Sequence, residues 1–355
     1  MATSGTVGQT VITVDRFLAH ACKAAGLKTA EIVGETALHA KENLFMLLSA
    51  VANRGITLWT HGKVLLPTTP SQILYDLASG TVDVTNLLFR TMDFSSTTSN
   101  GSSSAGGTTA NAFDQDVTTV CTQTSANGNF SCNFGSATTI TTAGYMSNGT
   151  ATLTLIFESS TDNTVWTTVH APGSASYPDK QFVWYDFDSG AVSAQYFRVR
   201  CTSGATLSAR EVSFCTTPAE VPMTRLNVDQ YTAMTDKTQT GNQVLQYYVQ
   251  RLQDYPRLNV WTTGNSFFNV IVVWRWTHIQ DPGALQDTLQ LPQRWFQAIK
   301  YALALEVAIE HPGRIDINQF AMLEKRANTA MFEAEAEERD PSPVFLGANI
   351  SAYTS

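Results

Sequence analysis

The chain has 355 residues, of which 43% are hydrophobic and only 15% are charged, and its formal net charge is -8 at pH 7. This length and composition are sufficient for about two or three domains with hydrophobic cores of their own. The acidic balance argues against a basic surface for tight binding of nucleic acid, which needs clustered Lys and Arg. An acidic surface would instead suit a channel through which DNA passes without binding.

No stretch of the sequence reaches the roughly 20 apolar residues that a membrane span needs. The polar residues 1–10 do not have the pattern of a signal peptide. We therefore expect synthesis in the cytoplasm and no membrane insertion. The five cysteines are odd in number and lack CxxC spacing, so they indicate neither a zinc site nor a complete disulfide framework.

Two amphipathic helices are predicted near the N-terminus. The first covers Asp15–Ala25 and ends at Gly26, and the longer second helix covers Thr29–Asn53 and ends at Gly55. Strands and turns follow up to residue 92 and recur after Pro222. The predicted extended segments are Ile56–Thr60, Lys63–Leu66 after a turn at His61-Gly62, Gln72–Phe89, Gln243–Leu252, Arg257–Thr262 and Phe267–Ile279.

The middle of the chain has a different composition. Residues 95–109 are mainly Ser, Thr, Gly and Asn, which is typical of a flexible linker. Short alternating segments bounded by Gly, Asn or Asp turns then predict an antiparallel sandwich. Its predicted strands include Ala151–Glu158, Val165–His170, Phe182–Phe187 and Tyr196–Cys201.

The longest helical period lies near the C-terminus and predicts an αα-hairpin. The first helix starts at Pro292 and ends at His311, with the apolar stripe Trp295, Ala298, Ile299, Ala302, Leu305 and Ile309. The stripe of the second helix is Phe320, Leu323, Ala327, Ala330, Met331 and Ala334. Alanine-rich seams of this kind pack closely, either within the subunit or between identical neighbours. Trp295 is predicted to be a buried anchor of the stripe.

The last residues of the chain carry sparse apolar side chains. Pro341 and Pro343 exclude further helix, so we expect the segment to gain order on a partner. The interface residues predicted from this end of the chain are Trp295, Ile299, Val344, Phe345, Leu346, Ile350 and Tyr353.

The predicted fold class is α+β, with a helical core domain and a small β region interrupted by an antiparallel β-sandwich of jelly-roll type. The outer domain comprises residues 1–92 and 218–355, the Ser/Thr/Gly linker residues 93–110, and the inserted sandwich residues 111–217. Sandwich termini that lie close together allow such an insertion.

No catalytic motif is present, so no catalytic residue, no cofactor-binding residue and no enzymatic activity are predicted. Glu35 and His39 lie one helical turn apart, as expected of a solvated helix face. Asp186 and Asp188 flank Phe187 and are compatible with acid/base chemistry or, as the more conservative interpretation, with a solvated strand end. The tryptophans of the predicted strands fit packing better than a sugar-stacking platform.

An ordered series of short motifs runs through the outer segments: Tyr75-Asp76-Leu77, Tyr247–Arg251, Leu258–Trp261, Gln280–Pro282 and Leu291–Trp295. In order and spacing they resemble the head-to-tail adaptor proteins of short-tailed bacteriophages. The resemblance implies a homo-oligomeric, dodecameric ring in the neck of a virion tail, assembled in the host cytoplasm. It implies as partners the portal protein, the tail nozzle, tail fibre or spike proteins, and genomic DNA that passes without sequence-specific binding.

The middle segment carries a second set of motifs at residues 111–119 (NAFDQDVTT), 159–166 (SSTDNTVW) and 196–200 (YFRVR). They resemble the discoidin-type jelly roll, also known from coagulation factor C domains and called galactose-binding-like. The resemblance implies a structural calcium ion, the only cofactor expected, held by Asp114, Asp116, Thr119 and Glu211. A plain loop capped by aspartates is the alternative.

Two functional hypotheses follow. The first is a structural virion protein whose ring joins the portal to the tail nozzle or spikes and lines the DNA exit channel. The alternative is a carbohydrate-binding or glycan-degrading virion protein that acts through the inserted jelly roll. The fold alone does not decide between these two hypotheses.

Overall fold

A computed structural model describes residues 11–32, 34–54, 60–92, 98–99, 104–106, 108–216, 219–252, 255–279 and 281–338. The chain divides into two compact units. Residues 1–61 and 277–355 form the first, here called the helical unit, and residues 62–276 form the second, here called the β unit. The chain thus has a mixed α+β fold.

The helices are α1 (Val14–Ala24), α2 (Glu35–Asn53), α3 (Val228–Thr232), α4 (Gln293–Glu310) and α5 (Ile317–Glu337). All except the short α3 belong to the helical unit. No helix in the described part of the chain is both long and apolar enough to cross a membrane.

The N-terminal helices agree with the predicted ones except at the start of the second. Helix α1 is followed by Gly26, whose φ of 86° ends it. The predicted helix Thr29–Asn53 is wrong in its first residues: Thr29–Glu31 is a short 3-10 turn, and α2 begins only at Glu35. Gly34, at φ 56°, breaks the helical path between them.

Helix α4 lies at the centre of the helical unit, in contact with α1, α2 and α5. Its buried residues therefore surround the helix instead of forming one stripe. Leu303 and Val307, absent from the predicted stripe, are buried, whereas Ile309 is 58% exposed. On α5 the predicted positions Leu323, Ala327, Ala330 and Ala334 are buried, and Asp316 caps the helix by accepting a hydrogen bond from the Gln319 backbone N–H.

Trp295 is completely buried in the core of the helical unit. Its Nε1 donates a hydrogen bond to Glu338 Oε1 at 3.2 Å, and the same carboxylate forms an ion pair with Arg294. Ile299 is also completely buried. The interface role predicted for these two residues is therefore corrected: they pack inside their own unit and leave no surface for another chain.

Several predicted features fall outside the described residues. One is the predicted strand Ile56–Thr60, of which only Thr60 is described. The others are the predicted interface residues of the tail, Val344, Phe345, Leu346, Ile350 and Tyr353. Three short pieces of the predicted linker are described: two are strands, and residues 108–110 lead into a 3-10 turn.

In chain order, the strands are β1 (His61–Pro67), β2 (Leu74–Asp76), β3 (Thr81–Thr91), β4 (Thr98–Ser99), β5 (Ser104–Gly106), β6 (Cys121–Ala126), β7 (Asn129–Ile140), β8 (Thr142–Ser147), β9 (Ala151–Ser160), β10 (Thr167–Tyr177), β11 (Phe182–Asp186), β12 (Val192–Cys201), β13 (Thr206–Cys215), β14 (Ala219–Pro222), β15 (Thr224–Arg225), β16 (Thr240–Gly241), β17 (Gln246–Gln250), β18 (Arg257–Trp261), β19 (Thr263–Gly264) and β20 (Val270–Thr277).

Two five-stranded sheets form the jelly roll, with the strand orders β10-β9-β12-β7-β4 and β11-β8-β13-β6-β5. Large apolar side chains that face inward from both sheets fill its core, among them Phe130, Tyr145, Phe157 and Phe197. The five cysteines of the chain are buried and form no disulfide bonds. The predicted sandwich is confirmed as a jelly roll.

The remaining strands of the β unit form smaller sheets, ordered β1-β20-β3-β14, β15-β17-β18-β2 and β16-β19. The predicted turn at His61-Gly62 is wrong, because both residues lie in β1, and the extended run Gln72–Phe89 is divided between β2 and β3. Strand β14 returns from the jelly roll to pair antiparallel with β3.

An apolar cluster joins the jelly roll to the sheet β1-β20-β3-β14. Its buried members are Met92, Met146, Phe182, Trp184, Cys215, Val270 and Val272. A Cβ on Gly144 would lie 2.5 Å from the Trp184 ring, so only glycine allows the ring to lie this close to strand β8. Because of this cluster, the compact unit includes β strands that the predicted map assigns to the outer domain. That map, with its boundaries at residues 93–110 and 218, stays a prediction.

The buried position of Trp295 leads to the first prediction. Replacing Trp295 with Ala should reduce the free energy of unfolding by about 3–5 kcal/mol, the usual range for removing a buried large aromatic side chain. Chemical denaturation of the purified chain measures this change. Phe332→Ala is the matched control, because Phe332 is 64% exposed and its loss should change stability by less than about 0.5 kcal/mol. An equal effect of both substitutions would contradict the packing.

Candidate functional site

The acidic loop that precedes β6 is held by its own side chains. Asp114 accepts hydrogen bonds from the Asp116 backbone N–H at 2.9 Å and from Thr119 Oγ1 at 3.0 Å. Asp116 accepts one from Thr118 Oγ1 at 2.6 Å. Gln115 adopts a φ of 60°, a left-handed conformation that glycine would adopt more easily. The structure thus brings three of the predicted calcium ligands together: Asp114, Asp116 and Thr119.

Glu211, the fourth predicted ligand, lies on β13 and is only 1% exposed. Burial, and then the negative charge of Asp114, raises the pKa of Glu211 to about 9. Its Oε2 atom has no hydrogen-bond partner. A buried carboxyl with a free oxygen beside another carboxylate fits a cation that accepts oxygen ligands. Within the described residues, however, no three or more His, Cys, Asp or Glu groups are close enough to form a metal cluster by themselves, so backbone oxygens, hydroxyls or water would have to complete the shell.

A second polar site is a cavity of about 660 Å³ at one end of the jelly roll. It lies where β7 turns into β8 and where β11 ends, and the neighbouring sheet closes its other side. The lining residues are Lys63, Arg90, Thr141, Thr142, Asp186, Phe187, Asp188, Gly190 and Glu220. We call this cavity the polar pocket.

Arg90 is the organising side chain of the polar pocket and is only 5% exposed. Its guanidinium donates to Asp186 Oδ1 at 2.7 Å through one nitrogen and to Glu220 Oε1 at 2.9 Å through Nε. Lys63 forms an ion pair with the other oxygen of Asp186, and Thr142 Oγ1 donates to Asp186 Oδ1 at 3.0 Å. Charged donors and acceptors therefore alternate along the pocket wall.

Asp186 is held in its anionic form. Burial alone would raise the pKa of its carboxyl, but the hydrogen bonds from Arg90 and Lys63 outweigh burial and lower the pKa below the usual value. A carboxylate held in this way is a poor general acid or base near neutral pH. The acid/base interpretation of Asp186 and Asp188 is therefore disfavoured, and a solvated strand end does not describe Asp186 either.

Asp188 has a different partner from Asp186. Its Oδ1 lies 2.8 Å from His170 Nδ1, and its side chain is 72% exposed. The His170 ring lies against Tyr185, with ring centroids 5.0 Å apart, and the Tyr185 hydroxyl lies 3.0 Å from that of Tyr177. The two aspartates that flank Phe187 thus contribute to the pocket rim one carboxylate paired with Arg90 and Lys63 and one more exposed carboxylate beside His170.

The aromatic residues of the jelly roll serve packing in the described structure. Trp184 is 4% exposed and stacks on Phe182, with centroids 4.6 Å apart. The face of Trp166 is covered by the Arg198 guanidinium at 4.1 Å, and Arg198 in turn pairs with the buried Glu158. These contacts agree with the packing interpretation of the tryptophans, and the exposed Glu35–His39 pair agrees with a solvated helix face.

Sequence reasoning did not identify Lys63, Arg90 and Glu220 as site residues. Each lies on a strand outside the jelly roll, and Arg90 is 96 positions from Asp186 in the chain. The only local signal was an arginine directly after the apolar residues 87–89 of β3, and a charged side chain needs a partner when it is buried. Nothing in a single sequence specifies that partner.

Residues 94–212 match the F5/8 type C domain. Among curated proteins, none matches the chain. Solved structures that align with it include the module CBM32-1 from a family 31 glycoside hydrolase of Clostridium perfringens, 16% identical over 34% of this chain and 94% of that one, with a TM-score of 0.30. The CBM32 of AlyQ in complex with 4,5-unsaturated mannuronic acid is 20% identical over 36% of this chain and 98% of that one, also with a TM-score of 0.30.

The family 32 module of NanJ from Clostridium perfringens, in complex with galactose, is 17% identical over 36% of this chain and 98% of that one, with a TM-score of 0.30. All three are carbohydrate-binding modules by name. At these identities and TM-scores they establish nothing about the ligand of this chain.

The Asp186 ion pairs predict a pH-dependent contribution to stability. Because the folded pKa of Asp186 lies below its unfolded value of about 3.9, the contribution is fully present above that pH and is lost as the pH falls through the folded pKa. Asp186→Asn should therefore reduce the free energy of unfolding by about 1.5–3 kcal/mol at pH 7. The difference from the wild type should shrink below about pH 4. Asp188→Asn, at an exposed position, is the control for thermal melting across the same pH range. A constant difference at all pH values would rule out the ion-pair origin.

Proposed function

We propose that this protein is a non-enzymatic binding protein whose jelly roll holds a carbohydrate in the polar pocket. The observation that carries the proposal is the pocket itself, which combines hydroxyl, carboxylate, ammonium and guanidinium groups in about 660 Å³, a volume suited to a small ligand. The match of residues 94–212 to the F5/8 type C domain supports a binding module.

A sugar presents a ring of hydroxyl groups, each of which donates and accepts a hydrogen bond. The pocket offers acceptors at Asp188 and Glu220 and donors at Lys63 and Arg90, already oriented by their ion pairs. Preoriented charged groups lose little freedom when a ligand arrives, and their hydrogen bonds are stronger than neutral ones. Because Asp186 is tied to two cations, the pocket is better suited to binding than to hydrolysis.

We also propose a structural role for the helical unit, as a subunit of a homo-oligomeric ring in a virion neck. The motif series that resembles head-to-tail adaptors supports it, with the portal protein, tail nozzle, fibres or spikes and passing DNA as partners. A specific observation also favours association: large apolar side chains remain exposed on its helices, including Met46 at 58%, Met322 at 58% and Phe332 at 64%. The two roles are compatible, because each uses a different compact unit.

A structural calcium ion is a third element of the proposal. Asp114 and Glu211 would supply carboxylate oxygens, and Asp116 and Thr119 would complete or orient the loop. When bound, the ion would supply positive charge to a buried acidic site and fix the loop before β6. It would take no part in a reaction.

Carbohydrate binding can be tested with the purified chain. A glycan array identifies a ligand, and isothermal titration then compares variants with the wild type. Lys63→Ala and Asp188→Asn should each weaken binding at least about tenfold, because each removes a charged hydrogen-bonding group at the pocket rim. Lys180→Ala, an exposed lysine elsewhere on the jelly roll, is the matched control and should bind like the wild type. An array without any binding, or equal affinity of all variants, would refute the proposal.

Calcium binding should be visible as stabilisation. With free Ca²⁺ at about 100 times its dissociation constant, the folded state gains about 2.7 kcal/mol over the chain in EDTA. Glu211→Gln should abolish the calcium-dependent rise in the melting temperature. Asp162→Asn is the control, because Asp162 lies in another acidic turn whose hydrogen bonds are local, and its variant should keep the response. If EDTA and Ca²⁺ give the same melting curve for the wild type, the plain-loop alternative holds.

A further inference from the structure

The helical unit carries a basic groove between α1, α4 and α5. Two adjoining cavities share Tyr301, Met322 and Arg326, and their lining adds Lys23, Lys300 and Lys325. Along α5 the groove extends from Gln319 to Glu333, about 21 Å at 1.5 Å per residue. These six residues, from Lys23 to Arg326, define what we call the basic groove.

Within the described part of the helical unit, no ion pair neutralises the cations of the basic groove. The ion pairs found there join Arg54 to Glu335, Arg294 to Glu338, Arg314 to Glu31 and His39 to Glu35. None of them uses a lysine or arginine of the groove. Lys300 instead lies over the Tyr301 ring at 4.2 Å. The only acidic residue in the lining is Glu333, at one end. The groove thus has a strong positive charge in a chain whose net charge is -8.

A second surface of the helical unit has the opposite charge. It consists of Glu35, Leu38, Glu42, Phe45 and Met46, which are exposed on α2, together with Ile309 and Glu310 at the end of α4. Asn43 Nδ2 donates to Glu310 Oε1 at 2.8 Å and so places the end of α4 beside α2. Met46 and Ile309 are each 58% exposed. We call these residues the acidic face.

The two surfaces lie on different sides of the helical unit. Around α4, Ile309 and Glu310 lie roughly opposite Lys300 and Tyr301, because successive residues are spaced by about 100°. One surface combines exposed apolar atoms with positive charge, and the other combines them with negative charge. The two surfaces of one chain cannot contact each other. The basic groove of one copy can, however, contact the acidic face of another copy.

We propose that the basic groove of one copy binds the acidic face of the next, so that copies associate head to tail. Such a contact is heterologous and generates a closed ring or an open filament, depending on the rotation between neighbours. The apolar side chains, Met322 on one side and Phe45 and Met46 on the other, provide buried area, and the opposite charges select the partner surface. The inference rests on the proposed structural role and specifies its subunit contact.

Charge reversal tests the contact directly. Lys325→Glu with Arg326→Glu makes the groove negative, and Glu35→Lys with Glu42→Lys makes the α2 side of the acidic face positive. In mass photometry and analytical ultracentrifugation of the full chain, each double variant alone should raise the concentration of half-association at least tenfold. Mixing the two variants should restore association, because each then meets a surface of opposite charge. Circular dichroism confirms that both variants are folded.

The controls separate this contact from other causes. Glu324→Lys lies on the opposite side of α5 from the groove, and Lys180→Glu lies in the β unit; both should associate like the wild type. Raising the salt concentration should weaken the wild-type contact, because the Debye length falls from about 10 Å at 0.1 M to about 3 Å at 1 M.

Three outcomes would overturn the inference. If the reversed variants assemble like the wild type, copies associate through another surface, and the structural role itself survives. If the wild type stays monomeric at every concentration and does not join a portal, both the proposed contact and the proposed structural role are wrong. If the groove variant loses only binding to a duplex DNA probe and keeps its association, the groove serves nucleic-acid phosphates and not a second copy.

Discussion

The Arg90 guanidinium is the constraint on which the polar pocket depends. A charged group that is only 5% exposed is costly unless its hydrogen bonds are satisfied, and the structure satisfies this one with two carboxylates from different strands. Glu220 sits directly across the β3–β14 ladder from Arg90, and Asp186 ends β11 of the jelly roll. Lys63 and Thr142 then take positions around Asp186. The pocket geometry therefore follows from the burial of one cation.

Features of the fold that depend on residues close together in the sequence could be predicted, whereas those that depend on distant residues could not. The amphipathic helices and the sandwich strands could be predicted because their apolar periods depend on neighbouring residues. The acidic loop at Asp114 was also predictable, since it is a continuous motif. The prediction of a single apolar stripe on α4 was wrong, because three neighbouring helices bury different sides of this helix. The Arg90–Asp186 contact could not be predicted, because its two residues are 96 positions apart and meet only through the pairing of strands that are distant in the chain.

Average composition also conceals how charge is distributed in this molecule. The net charge of -8 predicts a surface that repels polyanions. The helical unit nonetheless gathers several cations in one groove, and the β unit buries Glu211, Glu158 and Arg90 in three separate environments. Glu158 pairs with two arginines, which outweigh burial and lower its pKa, whereas burial beside Asp114 raises the pKa of Glu211. The direction of each pKa shift follows from the balance between burial and the neighbouring charges and not from the net charge of the chain.

The pairing of β3 with β14 gives the jelly roll an unusual topological position. Leu88 faces Pro222 and Thr91 faces Ala219 across an antiparallel ladder, so the chain leaves and re-enters the sheet on adjacent strands about 4.8 Å apart. In terms of connectivity, the whole jelly roll is the loop of a β-hairpin. The entropy of closing such a loop grows only with the logarithm of its length. Different modules can therefore be exchanged at this hairpin during evolution with little penalty to the sheet, provided that both strands and the ion pair between them are retained.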